Sequence, residues 1–228
     1  MFSEFFRQLK NKNKKKVEIF QNRNNEELIQ ELRLDGISEK ILSAIRMVPR
    51  EYFTENIIEA YKNIALRTEK SQTLTQPICT AKMIGALNLS PSNIVAEIGT
   101  GVGWATAIIS KLAKEVYTIE IFKSLLEKAK NNIAKLGITN VHFKHGNGYK
   151  GWGKNILFDS IIIGAATETV PPELFESLKP KGNLVYPKKY NSGNQKLLLI
   201  KKKDEYHFDQ KELFDVKFVP LINKSSEK

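Results

Sequence analysis

The segment Glu97-Ile98-Gly99-Thr100-Gly101-Val102-Gly103-Trp104 constrains this chain more than any other. It follows Ile94 to Ile98, a short apolar run of strand character, and it precedes Ala105 to Ala113, which has the helical period. A strand that ends in a glycine turn and opens a helix is where doubly wound α/β sheets hold their ligands. Glycine suits such a turn because no Cβ keeps a ligand away from the backbone.

The surrounding pattern extends this reading. Val116 to Glu120, Val141 to Lys144, Ser160 to Ile163, Asn183 to Tyr186, Lys196 to Lys202 and Phe214 to Val219 complete a set of seven expected strands with Ile94 to Ile98. Lys123 to Leu136 reads as a helix stopped by Gly137, and Glu173 to Leu178 as a helix that Pro180 helps to close. Alternation of this kind predicts a mostly parallel sheet with helices on both faces. The last strands, joined by Asn191 to Asn194 and by the polar stretch Asp204 to Asp209, suggest an antiparallel edge. Upstream, Glu26 to Leu34 and a segment begun by Ser38 after Gly36 have helical spacing, and Pro49 ends the second. Residues 1–20 read as a basic extension and 21–228 as one α/β domain.

Composition bounds the function. A chain that is 41% hydrophobic and 27% charged is an ordinary globule. It contains no apolar run of the roughly 20 residues that a membrane helix needs. Nothing in the first residues resembles a signal peptide, so a cytoplasmic, membrane-free protein is expected. The single Cys79 excludes an internal disulfide framework, and no third ligand stands in register with His142 and His145, so no metal is expected. The net charge of +11 is spread along the chain, with runs at Lys10 to Lys16 and Lys201 to Lys203. Both a solvated surface and an electrostatic role toward nucleic acid fit it.

The loop narrows the ligand. Dinucleotide folds prefer G-x-G-x-x-G, with the helix start aimed at a pyrophosphate. Here the order is G-x-G-x-G, preceded by the acid Glu97. A carboxylate there repels a pyrophosphate and suits the cationic amino group of S-adenosyl-L-methionine (AdoMet). Glu120 ends the next strand 23 residues on, where it can accept from both hydroxyls of a ribose. Glu97, Gly99, Thr100, Gly101, Gly103 and Glu120 are therefore the expected cofactor residues, within a Rossmann-like AdoMet-dependent methyltransferase sheet. Asn147 and Gly148, after the third strand, join them as an adenine contact; an ordinary Asn-Gly turn is the competing reading.

Several segments taken in order resemble the protein-L-isoaspartate (D-aspartate) O-methyltransferase family. They are Val48-Pro49-Arg50-Glu51-Tyr52-Phe53, Tyr61 to Leu66, Ser71-Gln72-Thr73-Leu74-Thr75-Gln76-Pro77, Glu97 to Trp104, His145 to Tyr149, Ala165-Ala166 with Pro171, and Phe218 to Leu221. The resemblance runs from about residue 25 to about residue 222. It implies methyl transfer from AdoMet to the free carboxylate of isoaspartyl residues in damaged proteins, which are then the partners. Departures stand at Ser71 (glycine in the family), Thr75 (serine), Asn147 (aspartate), Gly164 (often threonine) and Leu66-Arg67-Thr68-Glu69 (L-P-I-G).

A carboxylate nucleophile is already ionised at neutral pH, so the reaction needs positioning and exclusion of water rather than a general base. Read alone, Thr73 and Thr75 are ordinary solvated loop polarity; the resemblance implies that the loop Gln72 to Pro77 is the lid, with Thr75 and Thr73 as the catalytic hydroxyls. Rival readings are a nucleic-acid methyltransferase, a small-molecule methyltransferase and a non-catalytic AdoMet-binding protein. Against the first, Ile163-Gly164-Ala165-Ala166 stands where amino-directed base methylases carry [DN]-P-P-[YFW].

Overall fold

The computed structural model describes residues 25–153, 156–205 and 207–223, and the basic extension expected at 1–20 lies outside them. A seven-stranded sheet organises the chain. Its strands are β3 (Ile94–Ile98), β4 (Glu115–Glu120), β5 (Val141–His145), β6 (Phe158–Ile163), β7 (Leu178–Lys189), β8 (Gln195–Lys202) and β9 (Phe208–Asp215). Their spatial order is β5-β4-β3-β6-β7-β8-β9. The first five in that order are parallel, and β8 and β9 add an antiparallel edge. Strand order reverses between β3 and β6, and a crevice opens at such a switch point beyond the carboxyl ends.

Side-chain alternation sets the two cores. Val95, Val116, Ile162, Val185, Leu197 and Leu199 face one side of the sheet, while Ala96, Ile98, Ile161, Ile163, Leu184 and Ile200 face the other. The first side is covered by a helix at 25–34 (α1), by α2 (Glu39–Arg46), by α3 (Pro77–Leu87), by α4 (Trp104–Ser110) and by α5 (Lys123–Lys135). The second is covered by α6 (Pro172–Glu176) with Trp152 and Ile156. Period two puts Glu97 on the same face as Val95, beneath the α3 and α4 side.

Three expectations need correction, and one helix was not expected. Ser38 stands at the N-cap of α2 but makes no side-chain cap; its backbone carbonyl takes the Ile41 and Leu42 amides instead. Pro180 does not close a helix. It lies in a β7 bulge, where Phe158 pairs with Leu178 and Ser160 already pairs with Asn183. The last strand is Phe208–Asp215 rather than 214–219, because this edge has no buried face and so no hydrophobic alternation to mark it. Helix α3 went unread: it buries Thr80, Ala81, Met83, Ile84 and Leu87, which blurs the contrast between its faces, and Pro77 occupies its first turn. Immediately before it, β1 (Leu66–Arg67) and β2 (Thr73–Leu74) form a small antiparallel hairpin, so the expected lid is an anchored element.

Candidate active site

The glycine loop takes its shape from left-handed backbone. Gly99, Gly101 and Gly103 have φ of 92°, 56° and 94°. At Gly103 a Cβ would stand 3.1 Å from that of Ala129 on α5, so glycine also lets these helices approach. The amides of Gly99 and Thr100 donate to Ile119 O at 2.8 and 3.3 Å, which fixes the loop to the end of β4. Gly148 is excluded from being anything larger, since its Cβ would fall 2.4 Å from Ile98 Cγ2.

Two buried carboxylates stand at this loop. Thr106 on α4 and Thr118 on β4 donate hydroxyls to Glu97 Oε2 at 2.5 and 2.7 Å, while Oε1 has no hydrogen-bond partner among the described residues. Burial pushes the Glu97 carboxyl up to about 7, opposed by the two hydroxyls and helped by the nearby Glu120 charge. Glu120 Oε2 accepts from the Gly101 amide at 2.8 Å and Oε1 from the Phe122 amide at 3.0 Å. Burial raises its pKa too, against the pull of those backbone amides. Thr100 and Thr118 hydroxyls bond each other at 2.6 Å beneath the loop.

A cleft partly open to solvent joins these groups to the lid. Thr73 and Thr75 line it together with Glu97, Gly99, Thr100, Gly101, Gly103, Glu120 and Gly148. Thr73 is exposed and Thr75 half-buried, and neither hydroxyl has a hydrogen-bond partner among the described residues. The far wall is the segment Phe218 to Ile222, which crosses the carboxyl ends of the sheet. Ala166 pairs with it through Val219 O and the Leu221 amide, and the Gln195 side chain clamps both backbone groups of Phe218.

The model of the protein-L-isoaspartate(D-aspartate) O-methyltransferase family matches residues 22–226. The chain belongs to this family. A protein-L-isoaspartate O-methyltransferase of Aliivibrio fischeri is 43% identical over 88% of this chain and 97% of its own. One of Brucella anthropi is 37% identical over 88% of this chain and 94% of its own. Among solved structures, a protein-L-isoaspartate O-methyltransferase superposes with a TM-score of 0.81 at 29% identity, over 87% of this chain and 66% of that one. A candidate member from Plasmodium falciparum, in complex with S-adenosyl-L-homocysteine, shares the fold with a TM-score of 0.74 at 24% identity, over 86% of this chain and 97% of that one. The chain is thus an AdoMet-dependent protein-L-isoaspartate O-methyltransferase.

The residues present fit AdoMet. A loop that keeps side chains out of its path and two buried carboxylates form a site for a ligand that carries positive charge and a ribose. Asn147 stands beside the cleft-lining Gly148. Its Oδ1 accepts from the Tyr149 amide at 2.9 Å, and its Nδ2 donates to Asn223 at 3.0 Å, so this side chain first serves the turn. Sequence reasoning missed the roles of Thr106 and Thr118. The two threonines become partners of Glu97 only when helix, loop and strand have assembled. Among the described residues no cluster of metal-binding side chains forms, and no helix is long and apolar enough to cross a membrane.

Proposed function

We propose that this chain starts the repair of damaged proteins by esterifying the free carboxylate of L-isoaspartyl residues, and of D-aspartyl residues, with Thr75 and Thr73 presenting hydroxyls to that carboxylate. The observation that carries the residue roles is the shared cleft: both threonines line it together with the glycine loop and the two acids. AdoMet, when bound, supplies a methyl group on a sulfonium, which a carboxylate oxygen takes as the sulfur recovers its electron pair.

Glu97 and Glu120 hold the cofactor's positive and hydroxyl groups, and Gly99, Thr100, Gly101 and Gly103 let it lie against backbone. Gly148 supports the adenine end, with Asn147 shaping the turn beneath it. The lid and the segment Phe218 to Ile222 exclude water, which strengthens each polar contact inside. No side chain needs to remove a proton. The neighbouring backbone amide nitrogen then attacks the methyl ester, expelling methanol and closing a succinimide, which water reopens in part to normal aspartate.

Residues 21–228 act as one catalytic domain, with residues 1–20 an appendage and the cytoplasm the place of action. The family match over 22–226 supports that division. Labelled methyl transfer from AdoMet to an isoaspartyl peptide, to its normal aspartyl twin and to bulk RNA tests the reading. Transfer to the first alone is expected. Equal labelling of the two peptides, or labelling of RNA, would overturn it.

A further inference from the structure

Arg50 is only 1% exposed, yet backbone carbonyls rather than a carboxylate accept from it. Nη1 donates to Ala60 O at 2.7 Å and to Lys62 O at 3.2 Å. Nη2 donates to Ile64 O and Thr75 O, each at 3.1 Å. The guanidinium carbon also lies 5.0 Å from the ring centre of Trp104, the first residue of the helix that follows the glycine loop. One planar fork therefore meets the segment entering the lid, the lid itself and the start of α4.

We propose that Arg50 is a positioning residue for methyl transfer, holding the Thr75 backbone so that its hydroxyl points into the cleft. The proposal rests on the reading of Thr75 as the group that meets substrate. Its physical basis is the geometry of the guanidinium. Two nitrogens of one rigid plane satisfy four carbonyls at positions 60 to 75 of the chain, which no compact ammonium group does equally well. Burial lowers the Arg50 pKa to about 10, which leaves it charged at neutral pH. Its neighbours complete the clamp. Gln76 donates to Asn63 O at 2.8 Å, and Asn63 Oδ1 accepts from the Ile78 amide at 3.0 Å. Residues just beyond Thr75 are thus tied to the same 60–64 segment that Arg50 grips. At the other end, Lys128 on α5 bridges Glu69 at 2.6 Å and Glu55 at 3.0 Å, steadying the hairpin turn. Thr75 sits between these ties, and Arg50 takes its carbonyl directly.

A double-mutant cycle separates positioning from general stability. Turnover of an isoaspartyl peptide is measured for Arg50→Lys, Thr75→Val and the combination, with S-adenosyl-L-homocysteine affinity as the check on the cofactor half of the site. Arg50→Lys should lower kcat roughly tenfold or more and leave that affinity within about twofold. In the Thr75→Val background the same change should cost little, because the hydroxyl it positions is already gone. Guanidinium ion at millimolar concentration should restore part of the turnover of Arg50→Ala. Independent, multiplying losses in the cycle would overturn the proposal and leave the Thr75 reading intact. Parent-like turnover of Thr75→Val alone would remove Thr75 itself, and the proposal with it. Should neither Arg50 variant fold even with S-adenosyl-L-homocysteine present, Arg50 serves folding and not positioning, and the proposal fails.

Discussion

Glu97 on β3 and Thr118 on β4 are register partners in adjacent parallel strands, and the threonine hydroxyl donates to Glu97 Oε2 at 2.7 Å. Together with Thr106 it furnishes neutral donors to an acid that has almost no contact with water. Two hydroxyls offset only part of the desolvation, so the carboxyl holds its proton to about pH 7.

That relationship makes stability and binding depend on pH in opposite senses. Between the ordinary value of 4.5 and about 7, the folded chain keeps a proton that the unfolded chain has released. The stability linked to this proton is complete below that window and is lost as pH rises through it, by up to about 3 kcal/mol. The ammonium group of a bound amino acid moiety favours ionised Glu97, so S-adenosyl-L-homocysteine should bind more tightly as pH rises through the same window. Its thermal shift should therefore grow from about pH 5.5 to about pH 8, and Glu97→Gln should flatten that growth. A shift in the parent protein that ignores pH would separate Glu97 from the ligand.

Glu120→Ala removes the acceptor for the Gly101 and Phe122 amides as well as that proposed for the ribose. AdoMet affinity should fall by roughly 1–3 kcal/mol. Calorimetry with unchanged affinity would take Glu120 out of the site.

Thr75 is tested by shape and hydroxyl separately. Thr75→Val keeps the branch and removes the donor, so turnover should slow about ten- to a hundredfold while AdoMet affinity stays constant. Thr75→Ser keeps the donor and should remain active. Equal turnover by the two variants would mean that Thr75 packs, and the hydroxyl role would pass to Thr73 or be abandoned.

The lid's turn carries local strain. Lys70 and Ser71 have φ of 55° and 57°, a conformation that costs a residue with a Cβ more than it costs glycine. Ser71→Gly should raise the unfolding free energy by about 0.5–1 kcal/mol in denaturant titration, with no change in the slope. A destabilised Ser71→Gly would show that the serine side chain secures this turn.

The elements that were legible share a local signature. Val95, Ala96 and Ile98 alternate between two cores, α5 has an apolar stripe ending at Gly137, and the glycine loop links β3 to α4 within a few residues. Helix α3, the β1–β2 hairpin and β9 were not legible. The helix is buried too widely for a clear stripe, the hairpin strands have two residues each, and β9 is an exposed edge. Each depends on what it packs or pairs against rather than on its own stripe or alternation, which local periodicity does not record.

The doubly wound class, the position of the cofactor loop and the family follow from residue types alone, because each rests on short, ordered spacings. Tertiary structure decided what those groups do with their lone pairs and protons. Asn147 spends its oxygen on the Tyr149 amide, Glu97 loses water and gains two hydroxyls, and Arg50 finds carbonyls 10 to 25 residues away. Hydrogen-bond partners and desolvation are set by what packs around a group. They come into being only when the strands, the loop and the lid have met.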